Sequence, residues 1–309
     1  MTDDERQRLE RLATNLKRRA FIYQTIRSFF NEQGFLEVET PVRSPAIAPE
    51  KEIIPIESEG WFLSTSPELY MKRLLAAGYD KIYQFGRCFR KDEHGKYHNP
   101  EFTLLEWYRK GVNYEQMMTD TEQLITTIAS GLGLGNTLHY RDNAIDLSLP
   151  WERLTVSDAF QKLAGWDPTS APDVRRFDED TVLKIIPNLN PYRPTFLVDY
   201  PAPMASLARL KPNNPQVAER VELFIGGLEL ANAYSELIDQ REQAIRFRKE
   251  IEQIKREQSR IAPMPEKFLR AVSNLPECAG IALGMDRLVM LFCNANSIDE
   301  VMPFTIDEA

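Results

Sequence analysis

The chain has 309 residues and a formal net charge of −8, with 38 lysines and arginines against 46 aspartates and glutamates. This acidity disfavours a large nucleic-acid footprint, because affinity for phosphate backbones rests on clustered basic side chains, and here these occur only in short helical runs such as Lys17-Arg18-Arg19. No apolar run approaches the ~20 residues that span a bilayer, and the charged start Met1-Thr-Asp-Asp-Glu-Arg does not read as a signal peptide. Cys88, Cys278 and Cys293 lack metal-ligand spacing and suit reduced thiols in a cytoplasmic protein.

Along the chain, Leu9, Leu12, Leu16 and Ala20, then Phe21, Ile22, Ile26, Phe29 and Phe30, recur at helical spacing and predict one amphipathic helix ending near Gln33. A first strand follows, and residues 41–56 form a proline-punctuated extended stretch. The segments 83–90 and 101–108 read as two strands joined by a polar loop. A helix is expected from about Glu115 to Leu132, ahead of the glycine-rich turn Gly131-Leu-Gly133-Leu-Gly135. Residues of about 155–190 look like a helical insertion, with Ser157 as its N-cap. Strands at Thr195–Tyr200 and Val221–Ile225 and a charged helix at Gln240–Ser259 complete the pattern. Strands interleaved unevenly with helices predict an α+β fold with a mainly antiparallel sheet, one domain spanning 1–309.

The two-strand segment carries the chemistry. On its first strand Tyr83, Phe85, Arg87 and Phe89 share a face; on its second, Phe102, Leu104, Glu106 and Tyr108 do. Burying Arg90 or Glu106 without partners would cost on the order of several kcal/mol. A charged ligand is their natural complement, where the plainer alternative is an ion-paired surface hairpin. Three further segments stand out: Thr65-Ser66-Pro67-Glu68-Leu-Tyr-Met-Lys72, Glu229-Leu-Ala-Asn232-Ala-Tyr-Ser-Glu236-Leu and Gly280-Ile-Ala282-Leu-Gly284-Met-Asp286-Arg287. His94 and His98, with only His139 besides, are too few for a zinc site.

The order of these segments resembles the catalytic domain of the class II aminoacyl-tRNA synthetases, most closely the lysyl branch, from about Lys17 to Val301. The first class II motif matches the helix end and Gly34-Phe-Leu-Glu-Val-Glu-Thr-Pro41. The second matches the Phe-Arg90 hairpin with His98-Asn99-Pro-Glu-Phe-Thr, and the third the run ending in Asp286-Arg287. The resemblance implies an antiparallel sheet flanked by helices, ATP and Mg²⁺ as cofactors, and a homodimer built around the first motif. It implies Arg90 at the α-phosphate beside the substrate carboxylate and Arg287 at the γ-phosphate end, roles that suit a guanidinium fork. Lys91, Asp92, His98, Asn99, Phe102, Glu229, Leu230 and Gly284 would complete the nucleotide site, with Phe102 stacking on adenine. Glu222 and Glu229 would hold Mg²⁺. Ser66, Pro67, Glu68, Glu106, Tyr108, Asn232, Glu236 and Ala282 would form the amino-acid pocket. There, Glu236 and Tyr108 would meet a side-chain ammonium, and Glu68 and Asn232 the backbone amine and carboxylate. No proton abstraction is required, so catalysis would be positioning and electrostatics.

Parity sets a puzzle. Seven residues separate Glu222 from Glu229, and seven separate Glu229 from Glu236, which puts each pair on opposite faces of a regular strand. Gly226-Gly227 can reset the first phase; no glycine serves the second. Three residues depart from the lysyl pattern: Asp92 stands for Glu, which neighbouring Glu93 could replace, and Ala233 and Ala282 stand for Gly. One methyl group at a pocket wall is worth about 1–3 kcal/mol of discrimination. A single helix precedes the first motif, with no room for the five strands of an anticodon-binding barrel. Together these features resemble the truncated lysyl-synthetase paralogues that modify elongation factor P. The resemblance implies adenylation of (R)-β-lysine and its transfer to a lysine ε-amino group of elongation factor P, without tRNA. A tRNA-charging lysyl enzyme stays open as an alternative. So does a silent regulatory paralogue, against which the retention of Arg90, Glu229 and Arg287 speaks.

Overall fold

The computed structural model describes residues 2–309. Helix α1 (Asp3–Glu32) is started by Thr2, whose side chain accepts from the Glu5 amide, and it buries Leu12, Ile22, Ile26, Phe29 and Phe30. After β1 (Leu36–Glu37) come β2 (Arg43–Ser44), β3 (Glu57–Ser58) and β4 (Trp61–Leu63), which form a small sheet of their own. Helix α2 (Glu68–Ala76) leads into the hairpin β5 (Lys81–Phe89) and β6 (Glu101–Lys110), then α3 (Tyr114–Gly131). A short hairpin β7 (Thr137–Tyr140) and β8 (Asn143–Asp146) precedes β9 (Glu152–Thr155), α4 (Val156–Leu163) and α5 (Val174–Asp180). The rest comprises β10 (Thr195–Pro201), β11 (Leu210–Lys211), β12 (Asn214–Ile225), β13 (Leu228–Ser235), α6 (Gln240–Gln258), α7 (Glu266–Val272), β14 (Cys278–Gly284) and α8 (Met285–Cys293). None of the described helices is long and apolar enough to cross a membrane.

The main sheet runs β1-β5-β6-β14-β13-β12-β10-β9, with β11 on β12. Its interior pairs are antiparallel; β1 joins β5, and β9 joins β10, in parallel. Strict alternation divides its two faces. Leu105 and Trp107 on β6, Ala231 and Ala233 on β13, Ile281 and Leu283 on β14, and Val221 and Leu223 on β12 all enter the core beneath α1, α3 and α8. The intervening residues are polar and face a cleft. Burying both faces would leave those charges without water, so the apolar helices cover one side and the other becomes the site.

The second strand of the sequence reading, Val221–Ile225, is longer than expected and starts at Asn214. The helical segment after β9 packs Phe160, Phe177, Ile185 and Tyr200 into a satellite core. Its cap is not Ser157. Pairing of β9 with β10 continues through Thr155, and the Thr155 hydroxyl accepts from the Asp158 amide at 3.0 Å, so the helix starts earlier.

Candidate active site

Opposed residues of antiparallel strands share a face, and two transverse rows of the sheet assemble the floor of the cleft. One row runs Glu222, Asn232, Ala282, Glu106, Gln84; the next runs Arg220, Tyr234, Gly280, Tyr108, Ile82. Both phase problems resolve in the β12–β13 hairpin. Gly226 and Gly227 take φ of +58° and +79°, a two-residue turn that sets Phe224 opposite Glu229 and so puts Glu222 and Glu229 on one face. The register then slips between Leu223 and Phe224, which pair with Ala231 and Glu229, leaving Leu230 as the extra residue of a bulge. The bulge brings Asn232, Tyr234 and Glu236 onto the face of Glu229. Ala233 sits beyond it in regular pairing with Val221 and Ile281.

The cleft encloses a cavity of about 420 Å³. At one end Glu106, fully buried, accepts from the Ser66 hydroxyl at 2.6 Å and the Tyr108 hydroxyl at 2.8 Å. Ser66 also accepts the Glu68 amide at 3.0 Å, so one hydroxyl ties the first residue of α2 to the carboxylate. Gly280 makes this corner possible: a Cβ there would lie 2.1 Å from the Tyr108 ring and 2.7 Å from Glu236. Gly280→Ala is therefore expected to lower kcat/KM for the amino acid on the order of 10²-fold, as misplacement by an ångström does, while the KM for ATP holds. An amino-acid kcat/KM that stays at the wild-type value would show that the corner can yield.

Elsewhere on the cavity wall Arg90 pairs with Glu93 at 3.2 Å and lies over the Phe102 ring, 5.1 Å from its centroid. Arg287 donates to the Glu229 carbonyl at 2.9 Å and to His98. Burial and the Arg287 charge lower the His98 pKa, which keeps its ring neutral and able to accept. Behind the Glu106 corner, Lys72 is buried between Glu68, at 2.5 Å, and Glu236. Burial alone would lower the Lys72 pKa, but Glu236 and Glu68 outweigh it and raise it above the ordinary lysine value.

The family described as tRNA synthetases class II (D, K and N) matches residues 6–308. The chain belongs to this family. Curated relatives named elongation factor P–(R)-β-lysine ligase are similar over nearly the whole chain. Those of Klebsiella pneumoniae (strain 342), Photorhabdus laumondii and Proteus mirabilis are each 37% identical over 96% of this chain and 96% of their own. Membership in the class II synthetases makes the chain an ATP-dependent amino-acid ligase, with the mostly antiparallel sheet that the sequence implies.

Within this class II site, most of the residues singled out from the sequence line the cavity, among them His98, Asn99, Leu230, Asn232, Ala282 and Gly284. Four do not. Pro67 packs over Gly86, whose Cβ position is 3.1 Å from the proline ring. Lys91 and Asp92 are exposed on the hairpin loop, Asp92 with φ of +68°, and Glu93 instead reaches the cavity beside Arg90. Glu236 pairs with Lys72 and does not line the cavity, whereas Glu106 does. Asn99 does double duty, its side chain accepting from the Ile306 amide at 2.9 Å and bracing the C-terminal segment.

The carboxylate pair fits a divalent cation delivered with a nucleotide. Glu222 accepts from Arg220 at 2.7 Å and from the Tyr200 hydroxyl at 2.6 Å, which orients it toward the cleft with lone pairs to spare. Glu229, its side chain 45% exposed, has Arg287 at 3.9 Å as its nearest cation. Desolvation in the cleft and the neighbouring Glu222 charge raise the Glu229 pKa, a repulsion that a cation relieves. No cluster of three metal-binding side chains exists among the described residues. A metal here therefore needs phosphate oxygens as further ligands, as Mg²⁺ with ATP does.

Sequence reasoning passed over Arg220, Tyr234, Lys72 and Glu50. Arg220 and Tyr234 carried a signal, since each lies two residues from a chosen residue, Glu222 and Asn232, and strands place i and i+2 on one face. Arg220 bonds Glu222, Asn232 and the Met204 carbonyl, tying β12 to β13.

Proposed function

We propose that this protein adenylates (R)-β-lysine with ATP and transfers the β-lysyl group to a lysine ε-amino group of elongation factor P. The carrying observation is one cavity lined both by Arg90 and by the buried Glu106–Tyr108–Ser66 corner. That polarity suits a compound bearing a carboxylate at one end and an ammonium at the other. The names of its relatives supply the isomer and the acceptor.

In the first step the substrate carboxylate attacks the α-phosphorus, the bond to the bridging oxygen breaks and pyrophosphate leaves. Arg90 offsets the repulsion between the two anions; Arg287 and His98 hold the distal phosphates, and Phe102 offers a stacking face to the adenine. Bound to Glu222 and Glu229, Mg²⁺ would neutralise phosphate charge. In the second step a deprotonated lysine amine attacks the acyl carbon, AMP leaves, and the amine proton passes to solvent. The net charge of −8 supports a protein acceptor over tRNA, and the family's first-motif helix and strand support a homodimer.

Ala282 stands between Glu106 and Asn232 in the floor of the pocket. Ala282→Gly is expected to move the ratio of kcat/KM values toward α-lysine by roughly tenfold to a hundredfold; an unchanged ratio would return this methyl group to ordinary packing. Burial, with Glu68 nearby, pushes the Glu106 carboxyl up to about 7. Its anion therefore forms as pH rises through that value, and kcat/KM for the diamino substrate is expected to rise about tenfold between pH 6 and 8. A profile flat over that range would remove Glu106 as the ammonium's partner. The activation step itself is tested by ATP–pyrophosphate exchange. (R)-β-Lysine should support exchange well above α-lysine, and preference for α-lysine would favour a lysyl-tRNA synthetase.

A further inference from the structure

Glu93, Tyr97, His98 and Asn99 reach the cavity from the loop between β5 and β6. This loop has little of its own to hold it. Beyond the Arg90–Pro100 bond that closes its base, its internal backbone bonds among the described residues are the Gly95–His98 pair, at 3.1 and 3.2 Å, and His94 to the Asp92 carbonyl at 3.0 Å. Most of its residues are exposed, and a loop with few buried contacts opens easily. The segment after α8 supports it from outside. The Ile298 amide donates to the Lys96 carbonyl at 3.0 Å, the Ile306 amide to the Asn99 side-chain oxygen at 2.9 Å, and Asp307 meets His94 at 2.8 Å. That segment is itself anchored. Val301 and Met302 enter the main core, and from α1 Asn15 bonds the Glu300 carbonyl, while Arg8 bonds the Pro303 carbonyl and pairs with Glu308.

The contacts are unequal. The His94 and Asp307 side chains are 54% and 70% exposed, and an ion pair so open to water contributes little. Asn99 is 5% exposed and its amide is used at both ends: Nδ2 donates to the Glu101 carbonyl at 2.6 Å, and Oδ1 accepts from Ile306. A buried acceptor that loses its donor costs more than an exposed pair that parts. Arg287 and Arg141 hold the Tyr97 carbonyl and hydroxyl, two positions earlier. We infer that Ile306, through its backbone amide, is a positioning residue for ATP: it fixes Asn99, and with it the loop that presents Glu93, Tyr97 and His98 to the cavity. The assignment rests on the ATP-dependent activity of the family and not on which isomer or acceptor is used. A loop fixed beforehand need not be ordered when ATP binds, and that ordering is where affinity would be lost.

The test is Ile306→Pro, which removes the amide hydrogen. The Glu308 amide donates to the Thr305 carbonyl at 3.0 Å, so Ile306 is the second residue of a turn, a position that proline favours. The KM for ATP is measured in ATP–pyrophosphate exchange with whichever lysine isomer the wild type activates, so failure of the β-lysine reading leaves the test intact. Ile306→Pro should raise the KM for ATP about threefold to tenfold, the range for one net hydrogen bond, while the KM for the amino acid and the thermal midpoint hold. Deleting residues 306–309 removes the same donor without a proline and should give the same rise. Ile306→Ala, which keeps the amide, and Asp307→Asn, on the exposed pair, should each stay within about twofold of wild type. In an Asn99→Ala background Ile306→Pro should add nothing, since both act through one contact. An unchanged KM for ATP, an equal rise in both KM values, or effects that add in the double variant would each overturn the assignment.

Discussion

Replacing Lys72 by methionine should destabilise the protein by about 3–5 kcal/mol, the cost of removing one partner from a buried ion pair. Lys72 is 2% exposed and its ammonium serves both Glu68 and Glu236, themselves 6% and 1% exposed. Without it, two carboxylates face each other beside a third, Glu106, with no water to screen them. Adding Glu236→Gln to Lys72→Met should recover part of the stability, because it removes one of the stranded charges. Chemical denaturation of the two variants measures this directly. A loss below about 1 kcal/mol, or no recovery in the double variant, would mean that the three groups do not act as one charge cluster.

Arg90→Ala should lower ATP–pyrophosphate exchange by a factor on the order of 10² or more while the fold survives, as expected when a preorganised charge is withdrawn from phosphoryl chemistry. Among the described residues the side-chain partners of Arg90 are Glu93, partly exposed, and the face of Phe102, so its loss leaves Glu93 in contact with water. Arg90→Lys should restore only part of the rate, since an ammonium cannot reproduce the bidentate fork. A folded Arg90→Ala variant with wild-type exchange would place adenylation elsewhere.

Much of the sheet was legible because alternation is a local property. Phe102, Leu104, Glu106 and Tyr108 share the cleft face as their spacing implies, and Gly280, Ala282 and Gly284 sit opposite them. The phase between Glu229 and Glu236 was not legible. It depends on a bulge at Leu230, a residue with no glycine or proline to mark it, and the register is set by pairing with β12. That Glu236 pairs with Lys72 was not legible either, since Lys72 is 164 positions away and meets it only in the folded chain. Asp92 was placed in the site by motif position, yet the loop turns it outward and substitutes Glu93. Glu50 carries no pattern at all: it lies in an irregular loop, and its place over the cleft follows from packing.

The most direct measurement of the account is acyl transfer. Purified protein, ATP and labelled (R)-β-lysine are incubated with unmodified elongation factor P or, separately, with tRNA. The account predicts label on elongation factor P, stable to mild base as an amide is, with a mass gain of one lysyl residue at a lysine and AMP released in step. Label on tRNA that mild base removes, with elongation factor P unchanged, would contradict it.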